Sequence, residues 1–183
     1  MNIMLFGFKK CGKTYFGLKA AERLHMPFID SDLLVEKLYT KIHHKKLSYR
    51  DIVKKHGFPF FCELEKHAVS LLLKEKNSII SLGGGVILDP ENVERLKQIG
   101  SLVYIKAPKE VLLHRFLSHE PPSYVDPLNP ISSFEAIYQK RLPIYESIAS
   151  DVIDIGEDSE EEVLDKLTFL INKIKEKDLS EDS

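Results

Sequence analysis

Eight residues near the amino end carry the most telling chemistry: Gly7-Phe8-Lys9-Lys10-Cys11-Gly12-Lys13-Thr14, directly after the apolar run Ile3-Met4-Leu5-Phe6. They fit G-x-x-x-x-G-K-[ST], the Walker A pattern of a phosphate-binding loop. The glycines allow a tight turn in which successive N–H groups face one concavity and take phosphate oxygens. The helix that follows turns its positive end to the same anion. Lys13 would reach the β- and γ-phosphates, and the Thr14 hydroxyl would be a Mg²⁺ ligand. Residues Gly7 through Thr14 are therefore candidate ATP contacts. A strand before such a loop and a helix after it are the context it needs, and both patterns are present.

The elements that must position this loop alternate between strand and helix, as in an α/β sheet built from crossover units. Strands are predicted at Asn2–Phe6, Pro27–Ile29, Ser78–Leu82, Leu102–Ile105 and Val152–Ile155. The first helix spans Lys13–Leu24, with Phe16, Ala20 and Leu24 on one face. Helical patterns follow over Leu33–Leu38, from the capping box at Ser48 to Gly57, and from Pro59 with a stripe of Phe61, Leu64 and Ala68. Further helices start at Asp89-Pro90 and cover Lys109–Leu117, with Gly100 as a stop between them. Ser118–Pro130 carries four prolines and reads as a long loop of the functional lid type. Ser133–Ala149 is helical with a kink expected at Pro143, and Ser159-x-x-Glu162 caps a last helix.

The 183 residues suit one domain, taken as 1–175, with a charged tail over 176–183 expected to fray. Lys+Arg 26 against Asp+Glu 28 gives no electrostatic case for a nucleic-acid or membrane partner. No apolar stretch approaches a membrane span, and no signal-like segment precedes the first strand. Two cysteines make no disulfide framework, so the chain reads as cytoplasmic.

Four motifs in order make the chain resemble the shikimate kinase family: the Walker A loop, Asp30-Ser31-Asp32, Ser81-Leu82-Gly83-Gly84-Gly85, and Lys140-Arg141-Leu142-Pro143-Ile144-Tyr145. The triple glycine and the Arg-x-Pro-x-Tyr run separate this family from adenylate and gluconate kinases. The resemblance implies a three-layer α/β/α P-loop kinase fold, with a five-stranded parallel sheet in order 2-3-1-4-5, a substrate-binding region at about 31–62 and a lid at about 116–131. It implies Mg²⁺-dependent transfer of the ATP γ-phosphate to the 3-hydroxyl of shikimate, on the route to chorismate and aromatic amino acids, by a monomer. It assigns Asp30 to Mg²⁺, mostly through water, and Asp32 to the shikimate hydroxyls, where it would orient the attacking oxygen and take its proton. Gly83, Gly84 and Gly85 would sit between substrate and phosphate, with Ser81 near the metal's water shell. Arg141 would bind the shikimate carboxylate through its planar fork, and Arg115 would stack on adenine.

Plainer roles stay open for each: a helix cap for Asp30-Ser31-Asp32, a flexible turn for the glycines, solvated surface for either arginine. Two family arginines are missing. The family carries Phe-Arg-x-x-Glu where this chain reads Phe61-Cys62-Glu63-Leu64-Glu65, so Cys62 stands in place of a carboxylate-binding arginine. Glu65, without that partner, would repel the substrate carboxylate, and Lys66, one turn on, could partly substitute as a point charge. In the lid, Val125-Asp126-Pro127-Leu128 puts Asp126 where the family has an arginine on the transferring phosphate. A kinase of another polyhydroxylated acid, or a weakly catalytic nucleotide-binding homologue, are the alternatives.

Overall fold

In the computed structural model, which describes residues 1–118 and 128–181, five parallel strands form one sheet in the order β2-β3-β1-β4-β5. The strands are β1 (Asn2–Phe6), β2 (Phe28–Asp30), β3 (Ile79–Ser81), β4 (Gly100–Lys106) and β5 (Asp151–Asp154). β1 lies at the centre, Ile3 pairing with Ile79 on one side and Ser101 on the other. Every residue of β1 is buried, as its unbroken apolar run requires of a strand covered on both faces.

Right-handed crossovers sort the helices into two layers. The connection from β1 to β2 runs toward one edge of the sheet; the later ones run back toward the other. α1 (Lys13–Leu24) therefore lies on one face, where it packs against α8 (Glu160–Glu181). α2 (Ser31–His43), α3 (Tyr49–His56), α4 (Phe58–Leu72), α5 (Pro90–Lys97), α6 (Lys109–Leu117) and α7 (Pro130–Ile148) belong to the other connections. The change of direction falls between β1 and β3, whose carboxyl ends open the crevice where such sheets bind ligands. A satellite core of Val35, Tyr39, Ile52, Phe61, Leu64 and Ala68 holds α2, α3 and α4 together beside that crevice.

The α/β class, strand order and helix sequence agree with the expectation, and several boundaries move. α2 is longer than Leu33–Leu38 because Asp30 caps its start and no breaker intervenes before His44, which turns left-handed. Gly100, expected as a stop, begins β4 because it pairs with Asn2 in the ladder of β1. α7 begins at Pro130, whose missing N–H costs nothing in the first turn, and runs past Pro143 to Ile148. α8 continues to Glu181, well into the stretch expected to fray; the amino terminus anchors it through an ion pair with Asp178 at 2.8 Å. The expected lid falls largely outside the described residues, Asp126 included.

Candidate active site

The loop Gly7–Gly12 leaves β1 and enters α1 in a compact turn. Gly7 adopts φ 146°, and a Cβ there would lie 2.6 Å from the Ile105 carbonyl oxygen, so no other residue fits. Phe8 points away from the turn into the core, stacking on Tyr138 at 4.9 Å between ring centres and meeting Tyr145 at 4.8 Å. Cys11 is buried beneath the loop, its N–H donating to the Phe8 carbonyl. Lys13 Nζ bends back over the loop and donates to the carbonyls of Gly7 and Phe8 at 3.1 and 3.0 Å. An anion in the loop would offer that ammonium a better acceptor.

Thr14, Asp30 and Ser81 meet at the carboxyl ends of the neighbouring strands. Thr14 Oγ1 donates to Asp30 Oδ2 at 2.8 Å and lies 3.1 Å from Ser81 Oγ. The other Asp30 oxygen accepts from the N–H groups of Asp32 and Leu33 at 2.9 and 3.3 Å. The two open roles for Asp30 are thus compatible: one oxygen caps α2 while the other faces Thr14. Three hard oxygen donors so close together suit Mg²⁺, which keeps several waters and needs few protein ligands.

Asp32 turns toward the triple glycine. A Cβ on Gly83 would stand 2.3 Å from Asp32 Oδ1, so this carboxylate keeps its present position only beside a glycine. Burial, followed by the charge of Asp30, pushes Asp32 up to about 6; Lys13 and Lys9 pull against that rise. The glycines do less amide presentation than their sequence suggests. The Gly83 N–H is taken by Ser31 Oγ at 2.7 Å, and the Gly84 carbonyl accepts from Arg141 Nη1 at 3.3 Å and Tyr145 OH at 3.1 Å. Both ends of the Arg-x-Pro-x-Tyr run on α7 therefore fasten to this turn.

Asp32, the three glycines and Arg141 line one cavity of about 370 Å³ with Lys9, Lys10, Lys13, Thr14, Asp30 and Ser81. The opposite wall, from α3 and α4, sets Tyr49, Arg50, Val53, Lys54 and Phe58, which no motif picked out, beside Phe61 and Glu65 of the Phe-Arg-x-x-Glu position. Tyr49 and Arg50 read in sequence only as the first turn after a capping serine. Arg115 lies outside this cavity. Its Nη1 donates to the Lys10 carbonyl at 2.8 Å while Lys10 Nζ donates back to the Arg115 carbonyl at 3.1 Å, which braces the outer side of the loop against α6.

Two expectations about α4 are corrected. Lys66 does not reach the cavity: it lies 3.4 Å from Asp89 and 3.9 Å from both Glu63 and Glu91, acids that raise its pKa. Acids from the start of α5 draw it away from the Cys62 position. Glu65 does not face the substrate space as a bare anion. It is buried, and burial first, then the charge of Asp32, push it up to about 8, against the pull of Arg141. At neutral pH its proton stays on. Cys62 is half-buried, outside the cavity lining, its thiol pushed up by burial and then by Glu65.

The shikimate kinase family model matches residues 9–172. The chain is 35% identical to the shikimate kinase of Syntrophus aciditrophicus, over 91% of this chain and 88% of that one. It is equally similar to the shikimate kinase of Caldanaerobacter subterraneus subsp. tengcongensis, over 95% and 98%. Among solved structures, shikimate kinase from Acinetobacter baumannii in complex with shikimate superposes with a TM-score of 0.82 at 28% identity, covering 94% of this chain and 93% of that one. The Aquifex aeolicus shikimate kinase gives 0.77 at 31% identity, covering 94% and 96%.

Proposed function

This chain belongs to the shikimate kinase family, and from that premise we propose that it transfers the γ-phosphate of ATP to the 3-hydroxyl of shikimate, giving shikimate 3-phosphate and ADP. One observation carries the reading: the phosphate loop, the acidic pair, the triple glycine and Arg141 converge on a single cavity from four separate stretches of chain.

The roles follow from that convergence. The loop amides and Lys13 hold the β- and γ-phosphates. Asp32, pushed up only to about 6, is mostly ionised at neutral pH and can accept a proton from an alcohol. As the bond from the γ-phosphorus to the ADP oxygen breaks, a bond to the shikimate oxygen forms, and the hydroxyl proton passes to Asp32. Arg141 meets the shikimate carboxylate, and the neutral Glu65 beside it offers a hydrogen-bond donor in place of a repelling charge. Thr14 and Asp30, with Ser81 behind them, would hold Mg²⁺, which draws charge from the phosphate oxygens when bound.

Residues 1–175 act here as one kinase domain, with 31–62 binding substrate; the lid expected at about 116–131 lies largely outside the described residues. We assign the protein to the cytoplasm as a monomer with ATP and shikimate as its partners. Its charges nearly cancel, and no described helix is long and apolar enough to cross a membrane.

The test is ADP release from MgATP with shikimate, quinate, gluconate or no acceptor. Turnover that needs shikimate supports the assignment. Turnover only with another acid, or equal ADP release in every arm, rejects it.

A further inference from the structure

The cavity wall nearest the phosphate loop carries positive charge that no motif announces. Lys9 Nζ, from inside the loop, donates to the Tyr49 hydroxyl at 2.6 Å and lies 4.8 Å from the centre of its ring. Arg50 Nε donates to the same hydroxyl at 3.2 Å. A phenol oxygen has two lone pairs and one proton. With both pairs engaged, the Tyr49 hydroxyl can act toward a further group only as a donor. Lys9, Tyr49 and Arg50 thus present a joined set of donors to the cavity that all three line.

Its position can be read from the groups that feel it. Lys10 has its pKa lowered by burial, then by the charge of Arg50, then by that of Lys9. Lys9 also lines the same cavity as Asp32. The Lys9 charge therefore stands on the loop, where the phosphates bind, and in the cavity that holds the carboxylate proposed to face the attacking alcohol. A phosphoryl group in flight spreads negative charge over three equatorial oxygens at that point, and fixed cations there speed its transfer. Residues 116–134 of the sequence contain neither lysine nor arginine.

We propose that Lys9, positioned by Tyr49 and flanked by Arg50, clamps the phosphoryl group as it passes from ATP to the acceptor. The clamp rests on the kinase reading above. The phosphorus exchanges its bond to the ADP oxygen for one to the acceptor oxygen, the alcohol proton goes to Asp32, and the side chains of the clamp bind charge without forming or breaking a covalent bond.

The experiment compares Lys9→Met, Tyr49→Phe, Arg50→Ala and Arg50→Lys with the wild type. Steady-state kinetics with shikimate and MgATP are set beside calorimetric binding of shikimate to the enzyme loaded with MgADP or with MgADP and aluminium fluoride. Lys9→Met and Arg50→Ala are expected to lower kcat by ~10²–10³-fold, as removal of a transition-state donor does. Both KM values should stay within about threefold, Arg50→Lys should recover part of the loss, and Tyr49→Phe should fall between. The affinity gained on adding aluminium fluoride should shrink with kcat. Normal kcat in both Lys9→Met and Arg50→Ala overturns the clamp, as does a loss seen only in shikimate KM, which would make these residues a carboxylate anchor. Arg50 is only half-buried on a short helix, so its two variants test the clamp even if Lys9→Met disturbs the loop. Wild-type turnover with shikimate in the same assay separates failure of the clamp from failure of the kinase assignment.

Discussion

Replacing Glu65 with glutamine isolates the most perturbed carboxyl in the cavity. Glu65 is 5% exposed and is pushed from 4.5 up to about 8, by burial first and by Asp32 second. The sign follows from proton linkage. Between those two pH values the folded protein holds a proton that the unfolded chain has released, so stability falls as pH rises. The contribution is fully favourable below the unfolded value and is lost by the time pH passes about 8. Each pH unit across the interval is worth about 1.4 kcal/mol, so the loss is on the order of 5 kcal/mol. Glutamine keeps the shape and cannot ionise. In urea denaturation from pH 5 to 8.5, the two proteins should differ by less than ~1 kcal/mol at pH 5, while the variant should lead by several kcal/mol at pH 8.5. Asp32 titrates in both proteins and cancels in the comparison. Parallel curves over the whole range would refute the claim that Glu65 is buried as the neutral acid.

Other substitutions test the remaining assignments. Lys13→Ala should cut transfer on the order of 10³-fold or more with an unchanged circular dichroism spectrum, and substantial retained activity would reject the phosphate-loop role. Arg141→Ala should raise the KM for shikimate roughly 10- to 150-fold, the worth of one charged hydrogen bond, and leave that for ATP alone; equal effects on both would argue against a carboxylate anchor. Lys66→Ala should leave KM untouched and stability within ~1 kcal/mol, because it and its partners lie at the surface, Asp89 half-buried and Glu63 and Glu91 exposed; an effect matching Arg141→Ala would return it to the site. Gly83→Ala should displace the Asp32 carboxylate, because a Cβ 2.3 Å from Asp32 Oδ1 forces that side chain to shift, and should lower turnover strongly at a cost of about 1–3 kcal/mol in stability; near-normal kinetics would separate Asp32 from the reaction.

The parts of this site legible in the sequence are those written in backbone chemistry. The phosphate loop, the acidic pair after β2 and the glycines after β3 sit at strand ends, where short spacings fix their placement. Arg141 was legible through its neighbours, and the structure gives those neighbours work: Tyr145 holds the same carbonyl that Arg141 does. The wall from α3 was not legible. Tyr49 and Arg50 face the cavity only because Ile52 docks their short helix on the satellite core, a contact between distant segments. Lys66 misled for the same kind of reason. Helical spacing put it beside Cys62, while Asp89 and Glu91, brought up by another helix, decided where its charge goes.

Charge accounting explains how the cavity tolerates cysteine at position 62. With an arginine there, the family pattern places two guanidinium groups and one carboxylate around the acceptor's own carboxylate, a net charge of plus one. Here Cys62 contributes none, and burial leaves Glu65 protonated at neutral pH, so Arg141 alone again gives plus one. On the proposed reading, a substrate anion entering such a site would strengthen that proton's hold and would meet a hydrogen-bond donor where the sequence led one to expect repulsion. What the cavity gives up is the second planar fork. On the same proposal, orientation of the ring would come from Arg141, from the Asp32 side and from the apolar wall of Phe58 and Phe61.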